Sequence, residues 1–408
     1  MFLVHVAAFF LLVIGLPGYA QSELAILAEL SSPVFSEANA IDAHGHFSFI
    51  GGSGIAVVDA WEPWKPKLLK TLQDDRLLGC KDIFAYVNSW GRKRLAVVCF
   101  ESLVLVDVDN PETLSVIGSF ISPDILRAGA SVVVRGKLAF VAVSDLNYVV
   151  SFDITVETRP SMLSFVQLSG VLSVALYEDN KVLVTSGGRI NRVTILSYTP
   201  SGVFMKVGSV KDGRLSGDVS VVQEFPLDPN LVVVVSSANG GTFAVVNTTT
   251  RTRPVLQGMI QSNGRGPAEL SIDRPADGWN PNGHKQLEGA AGFCIAPSGI
   301  AYVFASRAES ISAVTIRSSS TTPTIVHAVR DMRLSGVVDI CSHDGHGHTR
   351  AKAAGEEQML RERDVESKSA AVLYALNARS GRFLVVTDRN DGAEDYISSL
   401  AAEPRWEF

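Results

Sequence analysis

The sequence predicts an all-β chain folded as a seven-bladed β-propeller of four-stranded antiparallel blades, closed by a strand from its own N-terminus. Three observations predict it. The tripeptide Leu168-Ser169-Gly170 recurs as Leu215-Ser216-Gly217 and Leu334-Ser335-Gly336, and more loosely as Leu77-Leu78-Gly79 and Leu287-Glu288-Gly289. Copies spaced by tens of residues, each leading into an apolar run, mark an internal repeat. Between them one order of strands and turns recurs, and the last unit is short by one strand while the N-terminus offers an unpartnered one.

The elements follow in order. Phe2 to Leu16 is an unbroken apolar stretch, too short to span a bilayer comfortably, followed by Pro17-Gly18-Tyr19-Ala20 and polar Gln21. It reads as a signal peptide over residues 1–20, cleaved after Ala20, which implies secretion and a mature chain, 21–408, that forms one propeller domain without a membrane span. The leader carries His5 and no Lys or Arg, so an uncleaved anchor is the alternative. Leu24 to Leu30 is a short apolar strand without a neighbour to pair with.

Each later unit has a first strand, a tight turn, a second strand of nearly unbroken apolar residues, a Gly/Ser/Asn hairpin, a third strand, a Pro-containing loop and a fourth strand. Unit one shows Ala40-Ile41-Asp42, Phe47 to Ile50, Gly51-Gly52-Ser53-Gly54, Ile55 to Asp59, Pro63 and Pro66, then Leu68 to Leu72. The pattern repeats through five more units to Ile325 to Val329. Second strands such as Leu231-Val232-Val233-Val234-Val235 are apolar on both faces, so sheets must cover them on both sides. Unit seven has Val337 to Cys341, Ala371 to Leu376 and Phe383 to Thr387 only, and Leu24 to Leu30 has the character of the missing fourth strand. Its irregularity leaves six or eight blades as alternatives. Ring closure leaves only short, protected sheet edges.

Val57-Val58-Asp59 with Pro63, Val106-Asp107 with Pro111, and second strands such as Phe140-Val141-Ala142 and Tyr302-Val303-Phe304-Ala305 resemble the LVIVD-repeat β-propeller family of extracytoplasmic proteins. The resemblance spans most of residues 34–330; Ser197, Asn247 and Arg317 depart from it near the Asp slot. It implies a secreted or surface propeller of unassigned biochemical role.

With 46% apolar and 19% charged residues the chain can build a packed core. A net charge of −6 without an extended Lys/Arg run argues against nucleic acid as partner. Four cysteines suit an oxidising compartment; Cys80 and Cys99 fall on consecutive strands and could pair, the alternative being buried thiols that act as small hydrophobes. Asn247-Thr248-Thr249 is the one glycosylation sequon, placed where a strand ends.

Candidate sites come in four groups. Asp59, Asp107 and Asp153 stand at strand ends, where aspartates commonly accept backbone hydrogen bonds at turns. Asp82, Ser173, Ser220 and Asp339, with Glu37, Asn39 and Asp218, could face the central channel as an oxygen-rich Ca²⁺ site of the kind found in lactonase-type propellers, or merely line it with water. His343, His346 and His348 in one turn, and His44 and His46 beside Asp42 in another, would be neighbours across the seam and suit Zn²⁺ or Cu²⁺, or be simply polar loop residues. Insertions at Ser262 to Lys285 and Gly345 to Lys368 break the repeat and should project from opposite faces. No nucleophile elbow, phosphate loop, dinucleotide fingerprint or Cys-x-x-Cys is present. The expectation is a non-enzymatic propeller that binds a protein or glycan through its loop-bearing face, with Trp61, Trp64, Trp90 and Trp279 as anchors. The alternative is a metal-dependent lactonase- or esterase-like hydrolase at the channel mouth around Asp82 and Asp339.

Overall fold

A computed structural model of the chain describes residues 23–389 apart from 188–189, 216–218, 226, 237–240, 262–286, 288–289, 297–298, 307, 317–322, 336 and 343–371. It contains seven four-stranded antiparallel sheets. After β1 (Glu23–Ser31), blade 1 comprises β2 (Ala40–His44), β3 (Phe47–Gly51), β4 (Ile55–Asp59) and β5 (Lys67–Leu72). Blade 2 has β6 (Asp82–Val87), β7 (Lys93–Val98), β8 (Ser102–Asp107) and β9 (Ser115–Ile121); blade 3 has β10 (Gly129–Arg135), β11 (Leu138–Val143), β12 (Tyr148–Asp153) and β13 (Ser161–Gln167). Blade 4 has β14 (Val171–Tyr177), β15 (Lys181–Ser186), β16 (Arg192–Tyr198) and β17 (Phe204–Lys211); blade 5 has β18 (Val219–Glu224), β19 (Leu231–Ser236), β20 (Thr242–Asn247) and β21 (Val255–Gln261). Blade 6 has β22 (Ala290–Ile295), β23 (Ala301–Ala305), β24 (Ser310–Ile316) and β25 (Pro323–Arg330). Blade 7 has β26 (Val337–Ser342), β27 (Val372–Asn377) and β28 (Arg382–Arg389), and its fourth strand is β1.

The seam is therefore where the sequence places it. β1 runs antiparallel to β28 from Glu23↔Arg389 to Ser31↔Arg382. The innermost strands β2, β6, β10, β14, β18, β22 and β26 each contact the next, and β26 contacts β2, which closes the ring. The core lies between blades rather than within them: Val57, Ile83 and Val97 share one cluster across blades 1 and 2, and Ile50, Tyr374 and Val385 share another across blades 7 and 1. Second strands are buried on both faces because a neighbouring sheet covers each.

A feature without a sequence-level expectation recurs in every blade. Between third and fourth strands the register slips once, leaving Leu27, Leu69, Ile117, Leu163, Val207, Gln257 and Val326 as the extra residue of a β-bulge. Such a bulge increases local twist, and the outermost strand is where a propeller blade has turned furthest. That β1 carries the same bulge shows that it fills the fourth-strand position faithfully.

The Leu-Ser-Gly repeat also has a physical account. Leu77, Leu215 and Leu334 end short 3-10 turns and are fully buried between adjacent blades. Gly79 and Gly170 take φ of +69° and +71°, a left-handed backbone that only glycine adopts without strain. The repeat extends upstream as Asp74-x-Arg76, Asp212-x-Arg214 and Asp331-x-Arg333. Asp74 accepts the Arg76 backbone N–H at 3.0 Å and its guanidinium at 2.8 and 2.7 Å; Asp331 and Arg333 do the same. The Arg76 guanidinium holds the Asp74 carboxyl down at about 2, below its ordinary 3.8. Because the folded value is the lower, this carboxylate's contribution is complete above pH ~4 and is lost as pH falls through about 2. Replacing the cap by Asp74→Ala is expected to cost ~1 kcal/mol in chemical denaturation at neutral pH, and the difference from wild type should vanish in acid.

Candidate functional site

Asp339, Asp42 and Asp82 of the innermost strands each hold backbone N–H groups of two blades. Each uses one oxygen within its own strand and the other to reach the next blade. Asp339 accepts the Ile340 N–H at 2.9 Å and the Ile41 N–H of blade 1 at 3.0 Å. Asp42 accepts the Ala43 N–H at 2.8 Å and the Ala85 N–H of blade 2 at 2.7 Å. Asp82 accepts the Ile83 N–H at 2.9 Å and the Val132 N–H of blade 3 at 2.9 Å. At the next junction Ser131 Oγ donates to the Val174 carbonyl at 3.3 Å and accepts its N–H at 3.4 Å. At each of four consecutive junctions a short polar side chain of the innermost strand thus bridges the two blades. A carboxylate is well suited, since charge-assisted bonds to backbone N–H groups are the strong ones.

The oxygen-rich Ca²⁺ site expected from the sequence would draw on these same oxygens, each of which accepts a backbone N–H. Ser173 turns into blade 4, its Oγ 2.7 Å from Thr185 Oγ1. Asn39 donates to the Cys80 carbonyl at 3.0 Å and so bridges blades 1 and 2. Glu37 is exposed beside it, Ser220 lies in β18 with no side-chain description, and Asp218 falls outside the described residues. Among the described residues no three His, Cys, Asp or Glu side chains are placed to hold a metal ion. His44 and His46 stand on either side of the β2–β3 turn; His46 Nε2 is 3.9 Å from Asp59 Oδ1 and its ring meets Trp61 edge-on at 4.9 Å. His343, His346 and His348 fall outside the described residues, so their expected meeting with this pair does not enter the geometry.

Asp59, Asp107 and Asp153 do what turn aspartates do. Their Oδ1 atoms accept the N–H two residues on, from Trp61, Asp109 and Thr155, at 2.8, 3.0 and 2.8 Å. Cys80 and Cys99 are brought side by side, as their spacing allows, but the structure carries both as thiols rather than as a disulfide. Hydrogen bonding to Cys99, and then burial, push the Cys80 thiol well up. It stays protonated, and the thiolate is the reactive form.

Strand alternation decides which loops share a face. Turns between first and second strands emerge with loops between third and fourth; the inter-blade connections emerge on the other side. Trp61, Trp64 and Trp90 therefore belong to one face, whereas Trp279 falls outside the described residues.

On the first face, Trp90 is 63% exposed at the tip of the β6–β7 turn. Asn88 Oδ1 accepts the N–H groups of Trp90 and Arg92 at 2.9 and 3.0 Å, and Gly91 takes φ of +76°. The Asn88 amide donates to Glu157 Oε1 of blade 3 at 2.9 Å, and Glu157 Oε2 accepts from Arg94 Nε at 3.0 Å. Arg94, only 3% exposed, also reaches Asp107 at 2.9 Å and Asp109 at 3.4 Å. The Glu157 loop can lie this close because residue 118 is glycine: a Cβ there would stand 2.3 Å from the Glu157 carbonyl oxygen. A buried, paired guanidinium thus fixes the turn that presents an exposed aromatic, with exposed Val87 and Val156 nearby in the chain segments that build it. Blade 5 reaches back to blade 4 in the same way through Arg251, which pairs with Glu178 and lies 5.5 Å over the Tyr177 ring, but no exposed aromatic tops that turn.

No protein-family model matches the chain, and no curated protein matches it either. Solved structures that it is similar to include the β-propeller domain of Cps50 (Swd1) from Myceliophteria thermophila, at 11% identity over 90% of this chain and 100% of that one, with a TM-score of 0.59. Virginiamycin B lyase from Staphylococcus aureus matches at 11% identity over 90% and 99%, TM-score 0.56. A putative 6-phosphogluconolactonase from Bacteroides uniformis matches at 12% identity over 72% and 86%, TM-score 0.54. At such identities these likenesses carry the architecture alone: the chain is a seven-bladed β-propeller.

Proposed function

We propose that this chain is a secreted, non-enzymatic binding propeller of the LVIVD-repeat type that engages a protein or glycan partner through the face bearing Trp90. The observation that carries the reading is the pairing of an exposed tryptophan with a turn held rigid by Asn88, Glu157 and Arg94. Tryptophan on a preorganised turn is the usual anchor of a binding surface, because little conformational entropy is lost when it is covered. The inner carboxylates support the same reading, since their oxygens serve the joints between blades. Secretion rests on the leader and family membership on the repeat motifs.

The test compares wild type with Trp90→Ala on a glycan array and in capture from secreted material. Retention of at least one partner is expected to fall about tenfold or more, the effect of losing ~1.4 kcal/mol or more at an aromatic anchor. Melting should be unchanged within ~0.5 kcal/mol, as for surface substitutions generally. Undiminished capture of every partner would remove Trp90 from the site, and Ca²⁺-dependent turnover on a lactone or ester panel would replace the reading with the hydrolase.

A further inference from the structure

We propose that Asn247 carries an N-linked glycan whose first sugar lies across the outer edge of blade 5. The proposal rests on passage of the chain through a secretory compartment, which is part of the function proposed above. Asn247 is the last residue of β20 and occupies the place held by Asp59, Asp107 and Asp153 in blades 1 to 3. It makes the same turn, with Oδ1 accepting the Thr249 N–H at 2.8 Å. That turn needs only one side-chain oxygen. With asparagine in the slot the second terminal atom is an amide nitrogen, and Nδ2 donates to no described residue. Among the described residues, the nitrogen that glycosylation requires is thus the one left unused.

The rest of the sequon is set for the same purpose. Thr249, whose hydroxyl belongs to the recognised triplet, is exposed, whereas Thr248 between them is buried. Thr248 Oγ1 accepts from the Tyr177 hydroxyl at 2.8 Å and donates to the Asn230 carbonyl at 2.8 Å. This pins the middle of the triplet, so the outer two side chains are held outward. Beside them lies a hollow of about 610 Å³ lined by Asn247, Thr249, Thr250, Arg253, Val255 and Gln257, among others. Val255, directly across the ladder from Asn247, is 61% exposed on the outermost strand. An N-acetylglucosamine rooted at Nδ2 would place an apolar ring face on Val255 with the Arg253 and Gln257 side chains at its rim. It would also cover the start of an exposed sheet edge, a position that otherwise invites pairing with other chains.

In the transfer step Asn247 Nδ2 bonds to C1 of the sugar of a lipid-pyrophosphate-linked oligosaccharide. The bond from C1 to the pyrophosphate oxygen breaks, the lipid pyrophosphate leaves with the electron pair, and the amide nitrogen gives up one proton. The donor and its transferase belong to the secretory pathway, not to this chain.

The experiment expresses the full chain in a glycosylating secretory host, once with its own residues 1–20 and once with the host's leader in their place. The intact mass is measured before and after an amidase that removes N-glycans. A shift present in wild type and absent from Asn247→Gln and Thr249→Ala supports the site. Asn247→Asp keeps the turn and serves as the unglycosylated reference. Hydrogen exchange over residues 253–257 should be several-fold slower in the glycosylated form than in this reference; equal exchange would overturn the seat on blade 5. Secretion through the host's leader without a mass shift would overturn the glycan. Failure of the native leader alone would overturn the secretory reading and leave the site standing.

Discussion

Deletion of residues 21–31 is expected to lower the melting temperature by on the order of 10 °C or to drive the chain into aggregates. Removing β1 leaves the whole β28 ladder, from Arg382 to Arg389, without its outer partner. It also removes buried Leu24, the packing of Leu27 and Leu30 against the cluster that includes Phe35 and Phe383, and the 3.2 Å ion pair between Glu29 and Arg382. Together these amount to several kcal/mol of the ~5–15 kcal/mol by which folded domains are typically stable. The entropy of joining two strands about 350 residues apart grows only logarithmically with length, so it does not cancel this gain. Apolar β28 would then be an open edge available to other chains. Differential scanning calorimetry with light scattering reads both effects. A truncated chain that remains monomeric and melts like the parent would show that the ring does not depend on this strand.

Asp42→Ala is expected to cost about 2–6 kcal/mol in urea denaturation at neutral pH. Asp42 has 0% exposure, and its loss leaves two N–H groups, those of Ala43 and Ala85, without their acceptor. Each orphaned buried donor costs about 1–3 kcal/mol. Asp42→Asn keeps one acceptor oxygen and should recover roughly half of the loss. Amide exchange localises the cause: the Ala85 N–H should speed up in both variants, whereas amides in blade 5 should not. A loss below ~0.5 kcal/mol, or a loss without faster exchange at Ala85, would remove the carboxylate from the joint between blades 1 and 2.

What the sequence made legible was the part governed by local pattern. Apolar runs bounded by Gly, Asn and Pro delivered the strands, and the count of strands in the last unit delivered the seam. The bulges had a signal that went unused, because adjacent apolar pairs such as Leu68-Leu69, Val116-Ile117 and Ile26-Leu27 break the period-two alternation of a half-buried strand. The Asp-x-Arg prefix of the Leu-Ser-Gly repeat was likewise visible at Asp74, Asp212 and Asp331. The joints were not legible. Asp82 and Asp339 read equally well as ligands or as clamps until the neighbouring blade is in place, since their second oxygens meet Val132 and Ile41, 50 and 298 residues away. The same holds for Glu157, whose service to Asn88 and Arg94 depends on the packing of one blade against the next.

The inner carboxylates join neighbouring blades, and thermal melts of wild type and Asp82→Ala in chelator and in millimolar CaCl₂ test that service most directly. A cation bound to the folded state alone would raise the wild-type midpoint by an amount set by its concentration over its dissociation constant. The clamp predicts one wild-type midpoint in both buffers, with Asp82→Ala lower than wild type by the same interval in each. A wild-type midpoint that rises with calcium, and a rise that disappears in Asp82→Ala, would contradict it.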